Sequence, residues 1–323
     1  MNASPPTTPI LVNGTLCVDT LSFADGSRHD EQSGGCGMYF SLAAAAIDQP
    51  VRLLAAVGAD YPEPFVKQLE AAAVDTLGLD RRTGKTFRWH GHYHDDLDDR
   101  DTLNLDYDPD VESLPQLPGG WADTRYAFLG VNAPENQRAL RSALPQAELV
   151  LLDTIDLYVH QYRDALMEAI AASDGLLINR HELTDLADFE VSIDPADAQI
   201  ASDRVFDELG PNTSLRFVVV KNGPAGSVVC TPGSQPVSVP PCPPEVLIDP
   251  TGAGDTFAAG MLAYAAKHGL SRDTADLVSH LPGACGWGAV LASFTLEAVG
   301  NTRLLTLTPE AFHERRAAYA DTP

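Results

Sequence analysis

The sequence predicts an α/β fold built on a largely parallel sheet. Short apolar runs alternate with longer helical patterns along most of the chain, and a glycine turn opens an alanine-rich helix near its end. The length agrees: 323 residues can bury a large core, and without a long linker one large domain with a small appendage is expected rather than two equal ones.

The strand candidates are the runs at 51–57, 126–130, 149–152, 176–178 and 217–220, each brief, apolar and free of internal proline. Polar residues follow them, and Asn132, Asp153, Asn179 and Lys221 would project from the carboxyl edge of the sheet, where ligands of open α/β sheets collect. Singly, each could as easily cap the next helix; together they favour a site.

Two stretches, 10–35 and 83–108, break the alternation and read as β-ribbon. In the second, Thr86, Arg88, His90, His92 and His94 alternate with Phe87, Trp89, Gly91 and Tyr93, a period of two that describes a two-faced strand. A small sheet of this kind, laid over the ligand edge, would act as a lid, with one face over substrate and the other toward solvent or a second subunit.

Composition narrows the function classes. The 44% hydrophobic and 20% charged fractions are those of a soluble globular protein, and no apolar run approaches the roughly 18 residues of a membrane helix. The first residues carry neither a basic start nor an apolar stretch, so a short tail and a cytoplasmic location are expected. Cys17, Cys36, Cys230, Cys242 and Cys285 are scattered and odd in number, which suits reduced structural thiols. With 21 basic against 45 acidic residues the formal charge is −24, a field that repels nucleic acid and anionic membranes.

The most informative string is Asp249-Pro-Thr-Gly-Ala-Gly-Asp-Thr-Phe257. Pro250 fixes the approach, Gly252 and Gly254 allow a tight fold, and the N–H groups of Gly252, Ala253 and Gly254 can converge on one anionic oxygen. A carboxylate at 255 beside such an anion hole is electrostatically costly unless it has work such as taking a proton, which makes Asp255 the candidate general base. The loop is neither a Walker A loop, for no lysine follows, nor a dinucleotide fingerprint, for Phe257 stands where a third glycine is needed.

The string resembles the C-terminal signature of the PfkB/ribokinase family of carbohydrate and nucleoside kinases. Further residues agree in chain order: Asp19 after a first strand, Gly34-Gly35 opening an alanine-rich helix, Asn179-Arg-His-Glu182, and Val220-Lys-Asn-Gly-Pro-Ala-Gly226. The resemblance implies a single ribokinase-like domain over 1–323, a three-layer αβα sandwich with a mostly parallel central sheet and a small β lid. It implies ATP as donor, with Asp255 as base and Gly252 to Gly254 cradling the transferred phosphoryl group. Asn179 and Glu182 would organise Mg²⁺ through water; Lys221, Gly223 and Gly226 would form the nucleotide-binding turn. Asp19, Gly34, Gly35, and more weakly Asn13, would hold the acceptor's hydroxyls. A K⁺ requirement and a homodimer formed through the lid are also expected.

The chain departs from the family pattern twice. Lys221-Asn-Gly replaces the common Thr-Leu-Gly, and Tyr39 stands where many relatives have Asn, so the acceptor does not follow by analogy. A sugar or polyol kinase is expected; the alternatives are a nucleoside kinase of the same family, with Phe87, Trp89 and Tyr93 stacking on the base, and a non-catalytic sugar or nucleotide sensor.

Three other features invite a function. His90, His92 and His94 with Asp95 and Asp96 have metal-binding spacing, though a polar lid face accounts for them. Arg81, Arg82, Lys85 and Arg88 could receive a phosphorylated sugar, with Arg88 the substrate contact, or form a solvated turn. The small-residue helix at 283–293 could lie against adenine or pack closely on another helix. Finally, so acidic and lysine-poor a surface suits a salt-rich cytoplasm. Thermal denaturation across a KCl series is expected to show the melting temperature rising with salt; maximal stability at low salt contradicts the reading.

Overall fold

The computed structural model describes residues 8–95 and 100–320; Asp96 and the first residues of the expected tail lie outside them. The central sheet contains β1 (Ile10–Asn13), β4 (Val51–Gly58), β5 (Asp75–Arg82), β8 (Tyr126–Leu129), β9 (Leu149–Asp153), β10 (Gly175–Asn179), β11 (Phe217–Lys221), β12 (Ser227–Cys230) and β13 (Val237–Val239). Its order is β13-β12-β11-β10-β9-β8-β1-β4-β5, parallel except for the pairs β11–β12 and β12–β13. A smaller sheet, ordered β3-β2-β6-β7, comprises β2 (Cys17–Phe23), β3 (Arg28–Gly34), β6 (Arg88–Tyr93) and β7 (Arg100–Asp106).

Helices cover both faces of the central sheet, giving the αβα sandwich. On one side lie α1 (Cys36–Ala45), α2 (Glu63–Ala71), α8 (Ala253–His268), α9 (Leu277–Thr295) and α10 (Pro309–Ala320). On the other lie α3 (Pro134–Ala143), α4 (Asp156–Gln161), α5 (Arg163–Ala172), α6 (Arg180–Ala187) and α7 (Pro195–Leu209). Strand alternation feeds both cores: Ile10 and Val12 join the first and Leu11 the second, as Phe217 and Val219 oppose Val218 and Val220. Burial on both faces is why these strands read as unbroken apolar runs. All five strand candidates are present, with ends shifted by one residue at most.

Two expectations need correction. The stretch 10–35 is not all ribbon: β1 runs in the middle of the central sheet between β8 and β4, and only 17–34 joins 88–106 in the small sheet. Four fully buried residues followed by a glycine carry too little periodicity to separate β1 from the ribbon after it. The expectation that no segment is long and apolar enough to cross a membrane also fails, since α9 passes that test by length and composition. Its apolar character answers to burial, for most of its residues are packed inside the fold against α8.

Chain order reverses at β1, which runs to β4 on one side while β8 and β9 extend the other. Such a switch point leaves a crevice at the carboxyl ends of the strands. The N-terminus of α8 meets this edge, and a close helix crossing holds it there: a side chain on Gly260 would strike the backbone of Gly288 at 2.6 Å, and one on Gly288 the carbonyl of Phe257 at 2.6 Å. Close helix packing thus explains the small residues at 283–293. The Gly288→Val variant is expected to lose about 1–3 kcal/mol of unfolding free energy through overpacking, read by denaturant titration; a stability unchanged from wild type contradicts this packing.

Candidate active site

The turn from Pro250 to Ala253 determines how α8 begins. The Pro250 carbonyl accepts the Ala253 N–H at 3.2 Å, and Gly252 at φ 78°, ψ 0° has the conformation of the third residue of a type II turn, which favours glycine. Space also demands it, because a Cβ on Gly252 would overlap the Tyr39 ring at 2.2 Å. No side chain caps α8 among the described residues. Among the described residues the N–H groups of Gly252, Gly254 and Asp255 have no intramolecular acceptor. The donor set therefore differs from the expected one: Ala253 is engaged by Pro250, and Asp255 adds its own N–H.

The Asp255 carboxyl group is half-buried and, among the described residues, makes no hydrogen bond or ion pair. Its pKa is pushed up to about 7, first by burial and then by the neighbouring Asp153 carboxylate, against the pull of Lys221 and Arg100. Such a group is poised to take up and release a proton near neutrality.

Lys221 lies beside it. Its Nζ contacts Asp153 Oδ2 at 2.9 Å and Oδ1 at 3.2 Å, and would lie 3.1 Å from a Cβ built on Gly254. Burial acts to lower the Lys221 pKa, but Asp153 and Glu182 outweigh it and the net shift is upward, so the ammonium stays charged. In the register Asn179 lies opposite Lys221, and Asp153 opposite Leu177, which places all three at adjacent strand ends. Asn179 and Glu182 form a complete capping box: Glu182 N–H donates to Asn179 Oδ1 at 2.8 Å, and Asn179 N–H donates to Glu182 Oε2 at 2.9 Å. Glu182 is buried and its pKa is raised, mainly by desolvation. Gly223 and Gly226 shape the turn that follows Lys221, with positive φ at both.

On the opposite side, Asp19 of β2 packs directly on Gly34 of β3, where a Cβ would meet its Oδ2 at 1.8 Å. Cys17 Sγ donates to Asp19 Oδ1 at 2.9 Å, while burial, reinforced by Asp249, raises the Asp19 pKa to about 7. Gly35, at φ 92°, starts α1. Asn13 is buried; its amide donates to the Leu54 carbonyl at 3.0 Å, and among the described residues its Oδ1 has no partner. Tyr39, also buried, supports the Gly252 turn from below. Asn132 folds its Oδ1 back onto Ala133 N–H and Asn136.

Arg88 does not join this group. Directly opposed residues share a face, so Asp19 lies with Trp89 and Phe23 with Tyr93, whereas Arg88, His90 and His92 point to the other side. Arg88 pairs with Asp60 at 3.4 Å. The rest of the basic cluster is likewise engaged, Arg81 with Glu63, Arg82 with Asp80 and Lys85 with Asp106. His90 and His92 both meet Ser22 Oγ, and His94 meets Asp101. Among the described residues no group of three or more His, Cys, Asp or Glu side chains could hold a metal ion.

Three interactions escaped the sequence reading, although it named Tyr93 and Asp249 themselves. Tyr93 Oη bonds Thr251 Oγ1 at 2.7 Å, Arg100 acts electrostatically on Asp255, and Asp249 fixes the turn by accepting from Thr251 and Gly300. A lone arginine in a run of aspartates was the available signal for Arg100.

Residues 19–305 match the pfkB family of carbohydrate kinases. The chain belongs to that family. It is a kinase. It is 27% identical to the cytidine kinase of Thermococcus kodakarensis over 79% of this chain and 87% of that protein. The kinase also superposes on the nucleoside kinase of Methanocaldococcus jannaschii with a TM-score of 0.71 at 21% identity, covering 96% and 98% of the two chains. The Arabidopsis thaliana ribokinase complexed with ribose and ATP gives 0.72 at 16% identity, covering 96% and 99%.

Proposed function

We propose that this kinase transfers the γ-phosphoryl group of ATP to a hydroxyl of a small sugar or polyol, with Asp255 as general base. The observation that carries the reading is an unpaired carboxyl group with a pKa near 7, set beside an uncapped helix N-terminus and a half-buried lysine. Asp255 takes the acceptor proton, the freed oxygen attacks the γ-phosphorus, and ADP leaves. The N–H groups of Gly252, Gly254 and Asp255 hold the charge on the transferring oxygens. Phosphoryl transfer draws its rate from such positioning and electrostatic stabilisation. Lys221 adds a fixed cation, and Arg100 a second from the small sheet, which acts as the lid.

Mg²⁺ fits this site through its oxygen donors. Asp153 is a buried carboxylate at the end of β9, Glu182 a buried carboxylate in the first turn of α6, Asn179 adds an amide oxygen, and a hard cation that keeps its waters needs only one or two carboxylates beside the nucleotide phosphates. Bound there, the ion would neutralise phosphate charge. Asp19, held against Gly34, accepts hydrogen bonds from the acceptor's other hydroxyls.

A nucleoside acceptor is the second reading. Trp89 lies on the face of the small sheet shared with Asp19, where it could stack on a base, and the similarity to a cytidine kinase runs over most of the chain. The non-catalytic sensor is disfavoured, because binding alone has no use for an unpaired base beside an anion hole.

Assaying sugars, polyols and nucleosides with ATP and Mg²⁺ decides between acceptors. For the accepted substrate, Asp255→Asn is expected to lower kcat by about 10²–10⁴-fold, with Kd for ATP and acceptor within about threefold of wild type. Retention of wild-type turnover by the variant removes Asp255 from the mechanism, and binding of sugar and nucleotide without turnover in the wild type restores the sensor.

A further inference from the structure

The small sheet touches the turn that forms the anion hole. Thr251 precedes Gly252, and its N–H and hydroxyl both donate to Asp249 Oδ1, at 2.9 and 2.6 Å. Asp249 is fully buried and its Oδ2 accepts the Gly300 N–H at 2.7 Å, so both of its oxygens are committed. The Thr251 hydroxyl has one proton and gives it to Asp249. In the 2.7 Å contact with Tyr93, Thr251 is therefore the acceptor and the Tyr93 hydroxyl the donor.

Tyr93 is itself firmly placed. It is 3% exposed, stacks on Phe23 with ring centroids 5.7 Å apart, and meets Trp89 edge-on at 6.4 Å. Val299 packs against the same cluster, one residue before the Gly300 that holds Asp249. The small sheet thus docks on both chain segments that fix the turn. Asp19 and Tyr93 share one face of that sheet, joined through adjacent strands β2 and β6, so any movement of the sheet carries the candidate acceptor contact and this hydroxyl together.

We propose that Tyr93 is a positioning residue that latches the small sheet to Thr251 and sets the anion hole for transfer only while the sheet is docked over the acceptor. The proposal rests on the kinase mechanism given above, and concerns a residue that does not touch the reacting atoms. Its chemistry is a relay: docking delivers the Tyr93 donor to Thr251, Thr251 and Asp249 hold the turn, and the free N–H groups of Gly252, Gly254 and Asp255 face the phosphoryl group. With the sheet raised, Thr251 loses one of its two hydroxyl contacts, and the turn loosens at the residues that stabilise transfer. Binding of an acceptor at Asp19 thereby favours the arrangement that phosphorylates it, and ATP without acceptor meets an incompletely held anion hole.

Tyr93→Phe keeps the ring packing and deletes only the donor, and Thr251→Val deletes the acceptor from the other side. Two readouts are taken on the full chain: steady-state transfer to the accepted substrate, and amide hydrogen exchange of Thr251 and Ala253, the bonded amides of the turn, without substrate. Tyr93→Phe is expected to lower kcat about tenfold, as for loss of one buried hydrogen bond in the active arrangement, with the ATP KM changed less than about twofold. Exchange at Thr251 and Ala253, whose N–H groups are bonded to Asp249 and Pro250, should quicken in both variants, and the double variant should be no slower in transfer than Thr251→Val alone. Wild-type exchange and wild-type kcat in Tyr93→Phe overturn the latch, as do effects of the two substitutions that multiply. The exchange measurement needs no acceptor. A wild type that phosphorylates nothing would therefore defeat the kinase mechanism, while unchanged exchange would defeat the latch alone.

Discussion

Three carboxyl groups are gathered where a polyanion is proposed to bind, and the ammonium of Lys221 makes that arrangement tenable. Asp153 is paired to it, and its charge also acts on Glu182 and Asp255. Without a cation at this point, burial and repulsion would drive Glu182 and Asp255 further toward neutrality, and the site would lack a charged base. In a chain of formal charge −24 the requirement is sharper, because the distant surface offers little positive potential to compensate. The amide groups at the start of α8 supply the remaining positive field through dipoles, which bring no titratable proton to compete with the base.

The fold meets this requirement through strand register and backbone shape. Parallel pairing aligns Asp153, Asn179 and Lys221 at neighbouring strand ends, and the glycine-packed crossing of α8 on α9 fixes where the helix terminus meets them. Gly252 resolves two constraints at once, a positive φ and contact with the Tyr39 ring. The buried Tyr39 ring supports the turn from within the fold.

Much of this was legible in the sequence. The apolar runs gave the central strands because burial on both faces removes polar positions, and the period-two pattern gave the small sheet because one of its faces is polar. The loop at 249–257 was readable because its glycines serve local geometry that few other residues tolerate. What stayed hidden depends on three-dimensional proximity. Nothing in the sequence placed Tyr93 against Thr251, 158 positions away, or put Arg88 on the face opposite Asp19. The engagement of Ala253 N–H by Pro250 was equally invisible, since it follows from the turn type rather than from residue identity. The basic cluster at 81–88 misled because composition does not reveal that each cation has an acidic partner.

The central claim is that Asp255 works as a base whose pKa is set by burial and Asp153 against Lys221. The pH dependence of kcat/KM tests it most directly, compared between wild type and Lys221→Met, because titration of the nucleotide is common to both enzymes. Activity requires the deprotonated carboxylate, so it should rise with pH through an apparent pKa near 7 in the wild type. Removing the cation that lowers this pKa should move the rising limb to higher pH, whatever residual rate remains. A limb at the ordinary carboxylate range of about 4, or one that stays in place when Lys221 is replaced, would contradict the account.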